Sequence, residues 1–236
     1  ALEGDTSLAL AIADAFIKSQ KTNGYPFDGH MIMNNFLDWR YNGKFSPRRK
    51  CFDVGLTVNG ALWKYKEDKT TPFTGCTHYM SAGNGGLMRL APVLIVAKNK
   101  SEAIYLARES TRLTHGAEEA LMYSEIFAEE VWDGRILPQY VDYRHPLDID
   151  RDDVSSGGYV KETFQAAWWA YQTTDSFESC IIEAINLGDD ADTVGAVAGM
   201  IAGRMYGFDT IPKWMVEGLQ WSEHLIDVSK KLVLFN

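Results

Sequence analysis

The chain has 236 residues, 46% of them apolar and 23% charged, a composition that excludes a disordered polypeptide and provides for a sizeable core. With 23 Lys+Arg against 32 Asp+Glu the net charge is −9 and the basic residues form no stripe along the sequence, which argues against a binder of nucleic-acid phosphates. No apolar run approaches the ~20 residues of a membrane span and residues 1–7 lack the order of a signal peptide, so a soluble, cytoplasmic protein is expected.

Helical spacing dominates from the start, where Leu8, Ile12, Ala15 and Phe16 share one face. Further helices are predicted over residues 30–42, 55–65, 100–113, 117–132, 160–173, 177–187, 192–206 and 212–233, separated by the turn pairs Asn23-Gly24, Asn42-Gly43, Asp133-Gly134 and Gly157-Gly158. The apolar run at 90–96 fits a buried helix or a strand equally well. Strand-like alternation is otherwise scarce, and the fold class is all-α. Neither repeats nor a hinge divide the chain, so a single domain over 1–236 is expected. Segments 45–52, 66–89 and 133–158 are long for loops of a helical domain, and such loops often form sites. Cys51, Cys76 and Cys180, too few and too scattered for a zinc cluster, read as reduced core thiols. Trp63, Trp132, Trp168, Trp169, Trp214 and Trp221 fit core spacing in helices.

The segment Gly188-Asp189-Asp190-Ala191-Asp192-Thr193 opens a helix in which Gly195, Gly199 and Gly203 recur every fourth residue. One edge of that helix is bare backbone, which makes sense where a neighbour packs closely enough to offset the low helix propensity of glycine. Three carboxylates in four residues either cap free N–H groups at the positive end of the helix dipole or hold a hard cation such as Mg²⁺, Mn²⁺ or Ca²⁺. Glu3-Gly4-Asp5-Thr6 is a second acidic helix start. It serves as a capping turn by itself, or as the other half of a cation site if the two starts meet. In Gly83-Asn84-Gly85-Gly86 the glycines make either a tight turn or a close approach to a ligand, and His115 is either a satisfied buried imidazole or a site residue.

In this order the motifs resemble those of the ADP-ribosylglycohydrolase family. Glu3-Gly4-Asp5-Thr6 lies where the family has Thr-Asp-Asp-Thr, and Cys51-Phe52-Asp53-Val54-Gly55 is similar to its Phe-Asp-Ile-Gly segment. Ser81-Ala82-Gly83-Asn84-Gly85-Gly86-Leu87-Met88-Arg89 resembles its Gly-Asn-Gly-Ser-x-Met-Arg loop, Thr114-His115 its Thr-His element, and residues 188–193 its Gly-Gly-Asp-x-Asp-Thr. The resemblance implies an all-helical domain with a binuclear Mg²⁺ or Mn²⁺ centre at the bottom of an ADP-ribose cleft. It implies metal ligation by Glu3, Asp5, Asp190, Asp192 and Thr193. It implies diphosphate and ribose contacts from Ser81, Ala82, Gly83 and Asn84 through backbone N–H groups, and nucleotide contacts from Gly55, His115 and Tyr159. The implied reaction removes ADP-ribose from a modified protein side chain by cleavage at C1 of the distal ribose, with Asp5 and Asp192 as the candidate catalytic carboxylates. Two departures stand out: Gly4 occupies the place of a family aspartate, and the family's upstream segment, which carries a catalytic glutamate, is expected to be lacking. These departures give a second expectation, a non-catalytic ADP-ribose binder.

Overall fold

Helix ends follow local chemistry throughout the computed structural model, which describes residues 4–134 and 148–235. Helix α1 (Gly4–Asn23) is followed by α2 (Gly29–Asn42), where the Asp28 carboxylate accepts from the Met31 N–H at 2.9 Å and Gly43, at φ 69°, turns the chain out of the helix. After α3 (Leu56–Glu67) a long connection carries two 3₁₀ turns, Tyr79–Ser81 and Leu87–Arg89, before the short α4 (Ala91–Val96). The run at 90–96 is therefore helix. Asn99 caps α5 (Lys100–Arg112), and α6 (Glu118–Asp133) ends on left-handed Gly134. Then come α7 (Val160–Gln172), α8 (Phe177–Ile185) with a Ser176/Ser179 capping box, α9 (Ala191–Tyr206), α10 (Lys213–Gly218) and α11 (Ser222–Val233). No strand occurs among the described residues; two isolated bridges pair Cys76 with His115 and Gly83 with Tyr159.

One continuous core joins these helices. Phe164 of α7 packs tilted or edge-on against Tyr123 and Phe127 of α6, at ring separations of 5.3 and 6.4 Å, and against Trp168 of its own helix at 6.3 Å. Helix α1 lies against α2, and α8 and α7 lie against α9. The glycine edge of α9 receives α8: a methyl group at Gly195 would stand 3.0 Å from Ile185 Cγ2, at Gly199 3.6 Å from Ile181 Cδ1, and at Gly203 4.0 Å from Phe177 Cε2. The two helices are thus closest at the end where α9 begins.

Three expectations need correction. The helix predicted over 212–233 is two, because Trp221 adopts a left-handed φ of 62° and α11 turns to pack on α1 and α4, while α10 buries no residue. Cys180 is buried as expected, but Cys51 and Cys76 are only half-buried. Trp168 and Trp169 belong to the core and Trp132 packs half-buried against it, whereas Trp63, Trp214 and Trp221 are exposed. Among the described residues no helix is long and apolar enough to cross a membrane.

Candidate functional site

Two helix starts and one loop meet in a cavity of about 540 Å³, the size of a small-molecule site. Its floor takes Gly4 and Asp5 from α1 and Asp190, Asp192 and Thr193 from the start of α9. Consecutive left-handed residues, Gly188 at φ 87° and Asp189 at φ 47°, turn the chain sharply into α9. The Asp190 N–H then bonds to the Ser156 carbonyl at 3.1 Å, fixing this turn against residues 156–158.

Asp190 stands at the cap position of α9, yet its carboxylate makes no capping bond. It accepts instead from the Asn84 side-chain amide at 2.6 Å, and that amide also donates to Thr163 Oγ1 at 2.8 Å. Thr163 in turn donates to the Gly157 carbonyl at 3.0 Å. Helix α7, the glycine loop and the start of α9 are thereby tied through one side chain. Burial raises the Asp190 carboxyl pKa and the neighbouring Asp192 adds to this, while the Asn84 hydrogen bond opposes it. Asp5 is only 8% exposed, and its Oδ1 has no hydrogen-bond partner. Burial, then the negative charge of Asp192, push its carboxyl up to about 6, against a hydrogen bond from Thr193. The capping alternative therefore fails for Asp190, whose negative charge faces Asn84 and the other acids.

The glycine loop packs on His115. A Cβ at Gly85 would lie 2.7 Å from His115 Cε1 and one at Gly86 2.3 Å from Thr111 Cγ2, so neither position accepts a larger residue without movement. His115 is 2% exposed and its Nδ1 meets Thr114 Oγ1 at 2.9 Å. Burial and then the Arg89 charge push the imidazole pKa down to about 3, which keeps the ring neutral. Arg89, fully buried, donates to the Ser110 carbonyl at 3.0 Å and Thr114 Oγ1 at 2.7 Å, and its guanidinium lies 4.7 Å from the Phe36 ring centre.

Of the residues singled out from sequence, Asp5, Gly55, Gly83, Asn84, His115, Asp190, Asp192 and Thr193 line this one cavity. Glu3 lies outside the described residues. Ser81, Ala82 and Tyr159 do not line it. The Ser81 hydroxyl donates to Cys76 Sγ at 3.2 Å, Ala82 is buried with its carbonyl accepting from Val160 N–H, and the Tyr159 hydroxyl donates to Glu119. The Ser81 and Asn84 N–H groups, expected to face an anion, are already bonded to the carbonyls of His78 and Gly158. Lining residues to which the sequence assigned no site role include Trp39, Phe52, Asp53, Leu56, Thr57 and Met88. Asp53 carried a signal, as a carboxylate inside a quoted motif; Trp39 carried none.

The donor chemistry suits a hard divalent cation: carboxylates at Asp5, Asp190 and Asp192, a hydroxyl at Thr193, and an unpartnered buried oxygen on Asp5. Among the described residues no three His, Cys, Asp or Glu already close around a common point. The side chains would have to draw together around an ion.

A family model for ADP-ribosylglycohydrolases matches residues 2–235. The chain is 30% identical to the ADP-ribosylarginine hydrolase Tri1 of Pseudomonas putida (strain GB-1), over 97% of this chain and 65% of that protein. It is also 30% identical to the ADP-ribosylarginine hydrolase Tri1 of Serratia proteamaculans (strain 568), over 97% and 66% respectively. Identity to the ADP-ribosyl-[dinitrogen reductase] glycohydrolase of Rhodospirillum rubrum is 32%, over 69% of this chain and 59% of that one. The chain thus spans just under two thirds of the length of the Tri1 relatives. A solved ADP-ribosylglycohydrolase-related protein complex is similar at a TM-score of 0.79 and 30% identity, covering 98% of this chain and 80% of that chain.

Proposed function

Since the chain belongs to the ADP-ribosylglycohydrolase family, we propose that it hydrolyses the bond between C1 of the distal ribose of ADP-ribose and a modified protein side chain, with arginine as the linkage. The observation that carries this reading is the convergence of Asp5 with Asp190, Asp192 and Thr193 in one cavity beside the Gly83-Asn84-Gly85 loop.

In the proposed reaction the C1–N bond breaks, water supplies the hydroxyl that bonds to C1, and the proton of that water passes to the departing guanidine nitrogen. Positive charge develops on C1 and the ring oxygen as the bond lengthens. The cavity lining carries four carboxylates, at Asp5, Asp53, Asp190 and Asp192, and no Lys or Arg, so its field favours that charge. Asp5 and Asp192 are assigned to hold the attacking water and move its proton. Asn84 acts as a positioning residue, keeping Asp190 aimed into the cavity. Asp5, Asp190, Asp192 and Thr193 would hold Mg²⁺ or Mn²⁺, one ion or two, and such an ion supplies orientation of the ribose hydroxyls and charge stabilisation.

Incubation of the protein with an arginine-ADP-ribosylated peptide and Mg²⁺ or Mn²⁺ is expected to release free ADP-ribose, and Asp192→Asn to abolish release. The absence of release with arginine-, serine- and threonine-linked substrates alike would reject hydrolysis. Gly4 favours a second reading, a non-catalytic ADP-ribose binder, because it faces the cavity at the place where the family motif it resembles has an aspartate. Calorimetric binding of ADP-ribose without turnover would establish that reading instead.

A further inference from the structure

We infer that a basic face beside the cavity mouth docks an acidic surface of the modified protein, an inference that rests on the hydrolase reading above. Between residues 40 and 50 stand Arg40, Lys44, Arg48, Arg49 and Lys50 with no acidic residue among them, in a chain whose net charge is −9. The fold adds Lys66, whose ammonium lies 4.4 Å from the centre of the Tyr41 ring, while the Arg40 guanidinium lies 5.5 Å from the same ring. Two cations share one aromatic ring, and neither has an ion-pair partner among the described residues, which concentrates positive charge there. Among the described residues only Lys44 of these six has an ion-pair partner, Asp38 at 3.4 Å.

This face adjoins the cavity directly. The Arg48 guanidinium lies 4.6 Å from the centre of the Phe52 ring, and Phe52, 61% exposed, lines the cavity. None of the six cations lines it. Their charge therefore faces what remains outside when a nucleotide sugar is seated, namely the protein that carries the modified side chain. Complementary charge of this kind acts mainly on encounter rate and on partner choice.

The test uses three substrates: free ADP-ribosylarginine and two arginine-ADP-ribosylated peptides of equal length, one flanked by Asp and Glu, the other by Lys. The acidic peptide is expected to be cleaved with a kcat/KM on the order of tenfold above the basic one, a margin that shrinks as salt is raised beyond the ~10 Å screening length of 0.1 M. Arg49→Glu with Lys50→Glu, two exposed cations away from the lining, is expected to remove the margin and leave kcat/KM for free ADP-ribosylarginine unchanged. Lys50→Glu alone covers the case in which the left-handed backbone at Arg49 (φ 53°) makes the double variant fold poorly, and Lys230→Glu on α11 is the control expected to do nothing. Equal cleavage of the two peptides by the unaltered protein overturns the docking inference while hydrolysis stands. An equal loss on free ADP-ribosylarginine also overturns it, by assigning the cations to the nucleotide. If none of the three substrates is cleaved, the hydrolase reading fails and the docking inference fails with it.

Discussion

His115 and Asp5 are buried titratable groups whose pKa values move in the directions that make their pH effects oppose each other. The imidazole is pushed from 6.5 down to about 3, so between those values the unfolded chain binds the proton and the fold does not. Its contribution is intact above pH 6.5 and is lost, at about 1.4 kcal/mol per pH unit, as pH falls toward 3. Asp5, raised from 3.8 to about 6, holds its proton in the folded state, so its contribution is present at low pH and is lost as pH rises through 6. In chelator-treated protein the two slopes offset each other between about pH 4 and 6. Replacing His115 by Gln should leave urea stability falling as pH rises across that window, and Asp5→Asn should leave it rising; slopes of the same sign in the two variants would refute the assignment. The acidic residues and the glycine loop were legible in the sequence because side-chain type and spacing announce them. The Asn84 bond to Asp190 was not, since it joins positions 106 apart and depends on α7 lying between them. The same holds for Ser81 and Ala82, whose place in the motif resembles a ligand loop but whose groups are spent on Cys76 and Val160.

At the scale of elements, the glycine edge of α9 was predictable as a close-packing surface, and the geometry against α8 grades it. Alanine in place of glycine favours a helix by up to ~1 kcal/mol. At Gly203 the added methyl group meets Phe177 at an ordinary 4.0 Å, so Gly203→Ala should raise the melting temperature. At Gly195 it would stand 3.0 Å from Ile185 Cγ2, so this 45% exposed side chain must shift to admit it, a cost that Gly203 does not carry. Gly195→Ala should therefore melt below Gly203→Ala, and Ile185→Ala should lessen the difference; thermal melts in which Gly195→Ala is the more stable of the two alanine variants would contradict the graded approach. The break between α10 and α11 escaped prediction for a related reason. Each half has helical spacing, and only the docking of α11 on α1 and α4 requires the turn at Trp221.

For the whole molecule, the helical content was readable from periodicity, whereas the arrangement of charge was readable only in part: the expectation of no basic stripe passed over Arg40, Lys44, Arg48, Arg49 and Lys50, which stand within eleven residues. Lys66 joins Arg40 only because α3 folds back beside the end of α2, where Arg40 Nε bonds to Asn59 Oδ1 at 3.0 Å. The acidic floor likewise exists only because α1 and α9, remote in sequence, bring their positive N-terminal ends to one place. A cation held by both helix starts would couple their positions, and cation binding would then appear as global stability. At a hundred times its dissociation constant such an ion adds about 2.7 kcal/mol, roughly 5–10 °C in a domain of this size. Mg²⁺ or Mn²⁺ is expected to raise the melting temperature accordingly, and Asp5→Asn and Asp192→Asn each to remove most of the rise. Because both residues would serve one link, the double variant should lose little more than either alone. Gly4→Asp should increase the rise at limiting cation, since a Cβ there meets Trp39 Cζ2 at 3.8 Å and the Asp53 carbonyl at 3.9 Å, ordinary contacts that leave space for a carboxylate. A rise that is equal in the unaltered protein and all four variants would place the ion elsewhere and detach the two helix starts from any common function.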